Sequence, residues 1–578
     1  MKKTKIDSNI IDSTQTNIES NKIKKILLFI KRAFTPKKIL ISAFFALLFW
    51  LSFFGVVLQN LALESSDTTN TIFYNFLQYF LSIIIILFGF FILKDSNNIE
   101  SIKPFFTMQI FKKDSKGEKS SVIITAQDSI KDCKKYIFYF LLVILFIIIF
   151  SFLHKNHYFL SSVGYVISIA IFLFLKRKFR FLFGFFVGVF GFFWIPLSFR
   201  FDDLSAFIPL AIIGIGLIYG IIFYFLMYFN NLFFRFLSCL CLFFIAPFSF
   251  NWLNLAYFSA YSIFSVGSLA LLMIFLIFLK KRYYFLSFIF FLVSLDYNFG
   301  VQDSKLNAYV LQTNFSQDKK WSLENKQASI NENFKAIESA IEQGFDMILL
   351  PESAFPFTLN RNAEVYEKLL NLSQKIVIVT GGMRLQSDFR DINTQIDSNT
   401  FIKLDNLKNN EVIESSILDS KSSKNIESNF DIIDKSIINL PSKVSGYYNS
   451  MYVFAFGKSI IADKIELVPF GERLPFDSIF RYFGVDFGFR AGDSVVKFEF
   501  KGLKLAIANC FEGTMSLPYK SGAKYILMGS NNAWFAPSTQ AIMQKMIIKY
   551  YARAYNTFVY HATNFSPKAI ISPNNADL

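Results

Sequence analysis

Glu352, Lys464 and Cys510 each stand at the end of a short apolar run: in Leu350-Pro-Glu352-Ser, ahead of Leu467-Val-Pro-Phe-Gly-Glu472, and in Ile507-Ala-Asn-Cys510-Phe-Glu512. Strand ends are where α/β folds expose reactive groups. A thiol must lose its proton to attack a carbonyl, and a carboxylate can take it. An ammonium can depress the thiol pKa and stabilise the oxyanion that develops. This chemistry needs no histidine. Taken singly, each residue also has a plainer reading. Cys510 fits a small residue closing a strand, Glu352 and Glu472 fit solvated loop carboxylates, and Lys464 fits a surface cation. The four cysteines (Cys133, Cys239, Cys241, Cys510) form no CxxC pair or zinc spacing, and His154, His157 and His561 are no better as ligands. No metal, cofactor or disulfide framework is therefore expected.

The elements that must hold these residues are short β-type runs beginning at Ala308, Met347, Ile376, Met451, Leu503 and Tyr525, alternating with helical stretches at 329–343 and 539–555. That alternation predicts an α/β sandwich. Between 386 and 446 the chain turns to Ser, Asn, Asp and Lys with scattered Ile, which reads as a polar surface insertion without chemistry of its own.

The first half is of another kind. The chain is 53% hydrophobic and 19% aromatic, with 76 Phe and only 18% charged residues, and its mean hydropathy is +0.40. An ordinary soluble protein is excluded. Apolar stretches at 39–63, 72–93, 136–153, 159–175, 181–198, 204–229, 232–250, 259–279 and 283–295 predict about nine spans, the last short. The net charge of +16 is carried largely by loops such as Lys112-Lys113, Lys134-Lys135, Lys176-Arg-Lys178 and Lys280-Lys-Arg282. It reads as a topology signal and not as a nucleic-acid surface. The basic segment 1–38 then lies in the cytoplasm, the helical domain covers 39–300, and 301–578 lies outside with Leu578. The spans hold few ionisable groups, which speaks against a transporter. Arg235 is expected to snorkel to the cytoplasmic face.

The order Glu, Lys, Cys, with Leu-Val-Pro-Phe-Gly-Glu after the lysine and Cys-x-Glu at a strand end, resembles the nitrilase superfamily. Within it, the chain resembles the apolipoprotein N-acyltransferase family. The likeness extends to Val310-Leu-Gln-Thr-Asn314, Lys320-Trp321, Tyr448-Asn-Ser450, Pro469-Phe-Gly-Glu-Arg-Leu-Pro475, Asn531-Asn-Ala-Trp-Phe535 and Thr563-Asn564. In the membrane half, Trp194-Ile-Pro-Leu-Ser198 and Trp252-Leu-Asn-Leu-Ala-Tyr257 are similar to its loops. The resemblance implies an αββα catalytic domain with Glu352 as general base, Lys464 as oxyanion-stabilising cation and Cys510 as nucleophile. Trp321, Glu472, Glu512, Asn531 and Trp534 would support substrate. The implied reaction moves a fatty acyl chain from a membrane phospholipid to the α-amino group of a diacylglyceryl-cysteine apolipoprotein. It would run through a Cys thioester in a monomer of the bacterial inner membrane with its site in the periplasm. A membrane-tethered amidase with the same triad is the alternative. Phe511 stands where the family often has Tyr, Ser566 where Gly is usual and Asn556 where Glu is common. Against the family pattern the helix pair at 39–94 is additional, and no apolar run of spanning length follows Cys510 where the family usually has one.

Overall fold

The computed structural model describes residues 34–64, 109–113, 119–123, 159–201, 204–247, 250–298, 302–317, 323–385, 401–408, 446–469, 471–473 and 489–574. The predicted spans at 72–93 and 136–153, His154, His157, Cys133 and Trp321 lie outside them.

Aliphatic and aromatic residues on every side make the first group of helices: α1 (Pro36–Phe49), α2 (Leu51–Glu64), α3 (Phe159–Phe174), α4 (Arg180–Phe192), α5 (Ile208–Leu226), α6 (Leu232–Cys241), α7 (Leu269–Lys280) and α8 (Tyr284–Ser294). Thr35 caps α1 through Lys38 and Asn231 caps α6 through Phe233. A hairpin of β1 (Gln109–Lys113) and β2 (Lys119–Ile123) stands apart. Among the described residues one stretch, Ser205–Leu226, is long and apolar enough to cross a membrane. There are three if each bent pair is one span, with bends of 52° after Phe49 and 102° after Phe174.

The hydropathy reading needs revision at one predicted span. The stretch 259–279 is not one helix, because α7 begins only at Leu269. Before it, residues 255–268 form a 3-10 turn and an irregular buried loop. Irregular backbone at membrane depth survives only where protein satisfies it. Here Asn254 caps Ala256, Ser162 Oγ accepts from the Ile263 amide, and Ser52 donates to the Phe258 carbonyl. Arg235 does not snorkel. It is 2% exposed, and its guanidinium donates to the carbonyls of Phe229, Phe172 and Leu175, closing the C-terminal end of α3.

The second half is four layers deep. One sheet runs β10-β9-β7-β5-β3 with β6 on β7; the other runs β15-β14-β13-β12-β11-β8 with β4 on β14. The strands of the first are β3 (Ala308–Val310), β5 (Met347–Leu349), β6 (Phe355–Thr358), β7 (Val377–Leu385), β9 (Tyr447–Ala455) and β10 (Lys458–Asp463). The second holds β4 (Gln312–Thr313), β8 (Ile402–Lys403), β11 (Lys497–Phe500), β12 (Leu503–Asn509), β13 (Tyr525–Asn531), β14 (Phe558–Asn564) and β15 (Ala569–Ile571). Leu349, Val379 and Val453 of one sheet meet Phe498, Leu527 and Tyr560 of the other in the central core. Outside, α9 (Leu323–Glu342) and α10 (Ala363–Leu372) cover the first sheet, and α12 (Gln540–Tyr555) covers the second. The αββα expectation holds. Within the polar stretch 386–446, β8 and α11 (Leu404–Lys408) are not surface coil. Ile402, Leu404 and Leu407 are buried, and β8 pairs with β11.

Helix α12 and the loop after β12 join the halves. Arg553 reaches across to the carbonyls of Ser259, Ala260 and Phe264 and pairs with Asp296 at 2.7 Å. The apolar core of the helical half continues into Phe511, Met543 and Ile547 of the sandwich.

Candidate active site

Parallel pairing aligns the ends of β12 and β13 in one sheet and those of β5 and β7 in the facing sheet. Leu350-Pro351 leads from β5 into Glu352, and Ser353 follows at φ +51°, turning the chain sharply. Two glycines let this turn close. A Cβ on Gly381 would come within 2.7 Å of Glu352 Cα, and one on Gly529 within 2.8 Å of the Glu352 amide. Cys510, the first residue beyond β12, sits at φ +52° at the head of a 3-10 turn. This left-handed elbow is uncommon for a side-chain-bearing residue. It throws the thiol off the strand end, and Glu512 stabilises the turn by accepting from the Asn509 amide at 2.7 Å.

The three sequence candidates converge. Glu352 Oε1 accepts from Lys464 Nζ at 3.2 Å and from Asn449 Nδ2 at 2.8 Å, and Oε2 accepts from the Asn531 amide at 2.9 Å. The Cys510 thiol hydrogen-bonds to the same carboxylate. Lys464, 1% exposed, donates at 2.9 Å to Glu472, whose other oxygen accepts from the Val468 amide. Glu512 accepts from the amides of Ile465 and Glu466, which fixes the chain just beyond Lys464.

Burial alone would push the Glu352 carboxyl up. The Lys464 charge and the hydrogen bonds from Asn449, Cys510 and the Asn531 amide overcome it and hold the group below its ordinary value. Burial would lower Lys464, but Glu352 and Glu472 raise it well above the usual lysine range. Burial and then the Glu352 charge push the Cys510 thiol well up, against the pull of Lys464. At rest the proton therefore sits on sulfur, with an ionised carboxylate hydrogen-bonded to it and an ammonium beside that carboxylate. This arrangement forms a thiolate only as the carboxylate takes the proton, so nucleophile activation is coupled to attack.

Of the supporting residues, Glu472 and Glu512 hold the lysine loop, and Asn531 serves Glu352 through its main chain. The Asn531 side chain donates to Gln317 at 3.0 Å and accepts from Asn564 at 2.8 Å. Trp534 stands edge-on to Phe201 with ring centroids 5.4 Å apart, at the seam with the helical half. Asn449 was missed. It donates to both Glu352 and Glu472 and accepts from Asn509 Nδ2; the one signal for it is its place inside Tyr448-Asn-Ser450. Phe511 faces the membrane half, packed against Phe250 with centroids 5.2 Å apart and stacked on Trp252. Trp252 Nε1 donates to Thr514 in the turn that carries the nucleophile. No group of three or more His, Cys, Asp or Glu suited to a metal occurs among the described residues.

Residues 130–297 match the model of the apolipoprotein N-acyltransferase integral membrane domain. The apolipoprotein N-acyltransferase of Helicobacter hepaticus is 34% identical over 424 residues, covering 70% of this chain and 92% of that protein. The chain belongs to the apolipoprotein N-acyltransferase family. A second family member, from Wolinella succinogenes, is 31% identical over 448 residues, covering 74% of this chain and 94% of its own. Among solved structures, a mutant of the Nesterenkonia AN1 amidase from the nitrilase superfamily aligns at 10% identity and a TM-score of 0.30, covering 48% of this chain and 87% of that one. Family membership makes the protein an acyltransferase with an integral membrane domain joined to the α/β sandwich.

Proposed function

We propose that the protein transfers a fatty acyl chain from a membrane phospholipid to the α-amino group of a diacylglyceryl-cysteine apolipoprotein, with Cys510 as the acyl carrier. The observation that carries this reading is the meeting of Glu352, Lys464 and Cys510, drawn from three separate segments, in one buried cluster against the aromatic core of the membrane half. In the first half-reaction the Cys510 sulfur attacks the phospholipid ester while Glu352 takes the thiol proton. The Lys464 ammonium steadies the oxyanion. The C–O bond then breaks, Glu352 returns the proton to the leaving oxygen, and a thioester and a lysophospholipid result. In the second half the apolipoprotein amine attacks the thioester, Glu352 takes its proton, the C–S bond breaks, and Glu352 returns the proton to sulfur, giving the amide and the free thiol. Glu472, Glu512 and Asn531 keep the base and the cation in place, while Trp321 and Trp534 are assigned to substrate.

Both substrates are anchored in a bilayer, which suits a site seated on the membrane domain. The positive loops support a cytoplasmic Met1, an odd number of spans near nine, and a sandwich facing the periplasm of the bacterial inner membrane. The corresponding division is 1–38 cytoplasmic, 39–300 membrane and 301–578 catalytic, working as a monomer. The test is intact-mass and peptide mass spectrometry of the protein purified with native lipid. An acyl adduct on Cys510 that hydroxylamine releases and an amine acceptor discharges is expected. A protein that turns over with unmodified Cys510, or whose adduct is discharged by water as fast as by amine, would refute the reading.

A further inference from the structure

Gln544 is 1% exposed in the second turn of α12, on a helix face otherwise packed on Ile526, Met528 and Val559 through Ile548 and Ala552. A buried amide among such neighbours is costly unless its hydrogen bonds are used. Its Nε2 has three acceptors in reach: Cys510 Sγ at 3.8 Å, the Cys510 carbonyl at 3.5 Å and Ser530 Oγ at 3.4 Å. Its Oε1 has no hydrogen-bond partner among the described residues. Two of the three acceptors belong to the nucleophile, and all three contacts are long, as expected of a donor facing a neutral thiol that accepts weakly.

Behind Gln544 lies a polar group that the acyl-transfer steps leave unused. In the parallel pairing of β13 and β14, Met528 stands opposite His561. Ser530, two residues on, places its hydroxyl 2.8 Å from His561 Nε2. Burial, with the Lys545 charge adding to it, drives the imidazole down to about 3, so it is neutral. In the tautomer that carries its proton on Nδ1, the neutral imidazole accepts the Ser530 proton at Nε2. The Ser530 oxygen is then left to accept from Gln544, which fixes one amide hydrogen on Ser530 and aims the other at sulfur.

We propose that Gln544 is a further catalytic residue, whose amide donates to the Cys510 sulfur whenever that sulfur carries charge, and that Ser530 and His561 are the residues that position it. This deepens the acyl-transfer reading and rests on Cys510 being the nucleophile. The demand for such a donor follows from the charges already present: Lys464 is shared by Glu352 and Glu472, leaving the three-residue cluster at −1 before sulfur ionises. In the second half-reaction the C–N bond forms, the C–S bond breaks, and the electron pair settles on sulfur until Glu352 returns a proton to it. A donor held on the face of sulfur formed by α12 stabilises that pair in addition to Lys464, whose ammonium already donates to Glu352 and Glu472.

The test uses the full chain in phospholipid nanodiscs and reads the pH dependence of Cys510 alkylation by iodoacetamide, together with single-turnover discharge of the acyl-enzyme to an amine. Gln544→Met keeps length and removes both donors. It is expected to slow discharge about tenfold, the worth of one hydrogen bond to a charged atom, and to move the alkylation midpoint upward by about one pH unit. Ser530→Ala should shift the midpoint in the same direction by less, with KM for phospholipid unchanged. A wild-type alkylation profile and discharge rate in folded Gln544→Met overturns the proposal. So does a wild-type profile in Ser530→Ala, which decides the matter if the Gln544 variant does not fold. If wild-type Cys510 acquires no acyl adduct at all, the nucleophile assignment falls, and this proposal falls with it.

Discussion

Glu352→Gln is the sharpest probe of the base. The glutamine keeps one acceptor oxygen but must turn an NH2 either toward the Asn531 amide, now 2.9 Å from Oε2, or toward Lys464, 3.2 Å from Oε1. In both orientations donor meets donor, and one charge-assisted hydrogen bond worth about 1.5–3 kcal/mol is lost. Lys464 stays buried against Glu472 at 2.9 Å, so the lysine keeps a partner and the fold should survive. The chemistry should not. Without a carboxylate to receive the thiol proton, acylation of Cys510 is expected to fall by about 10²- to 10⁴-fold at neutral pH. Single-turnover acylation by phospholipid, followed by intact mass, measures this directly. Raising the pH ionises the thiol without help, so the variant's rate should climb about tenfold per pH unit where the wild type is flat. A wild-type acylation rate, or a deficit that does not respond to pH, would refute the base assignment.

Lys464→Met should slow acylation on the order of 100-fold or more, because it removes both the oxyanion's counter-charge and the charge that opposes the burial of Glu352, measured in the same assay. Gly381→Ala forces a Cβ to within 2.5 Å of the Ser353 amide, so activity should drop on the order of 100-fold through displacement of Glu352, with no change in the membrane half. Burial pushes the Glu512 carboxyl up to about 7 against the hydrogen bonds from the Asn509, Ile465 and Glu466 amides. A folded value above that of the unfolded chain favours the native state below about 4.5, and roughly 3 kcal/mol of that advantage is lost as pH rises through 7. Thermal unfolding of detergent-solubilised protein should follow that slope in the wild type and lose it in Glu512→Gln. Arg553→Ala should cost about 3–5 kcal/mol by stranding Asp296 and three carbonyls, read as a fall in Tm.

The sandwich was legible in apolar runs such as Met347-Ile-Leu or Tyr525-Ile-Leu-Met, though the strand Phe558–Asn564 was not read. It was not legible where charge interrupts the strand, as in Lys458–Asp463 and Lys497–Phe500, which take their conformation from their neighbours in the sheet. Ile402 and Leu404 were hidden by the polar residues around them. Hydropathy reports that 259–279 is apolar but says nothing of the serines and Asn254 that let part of it leave the helix. Nor can it foresee that Arg235 would find three carbonyls. The triad was visible as residue types at strand ends, and the family likeness supplied their roles. Asn449 and Gln544 were not, because each works on residues far away in sequence, 97 positions for Asn449 and Glu352 and 34 for Gln544 and Cys510.

The stacking of Phe511 on Trp252, with Trp252 also bonded to Thr514, means that the floor beneath the nucleophile is laid by the membrane half. The sandwich is consequently not an enzyme on a tether. Cut away after the last helix, it would expose Phe511, Met543 and Ile547 to water and leave the nucleophile turn without its floor. Making this enzyme soluble thus means rebuilding a wall of its active site, and any small molecule that wedges between Trp252 and Phe511 would act as an inhibitor without touching the thiol.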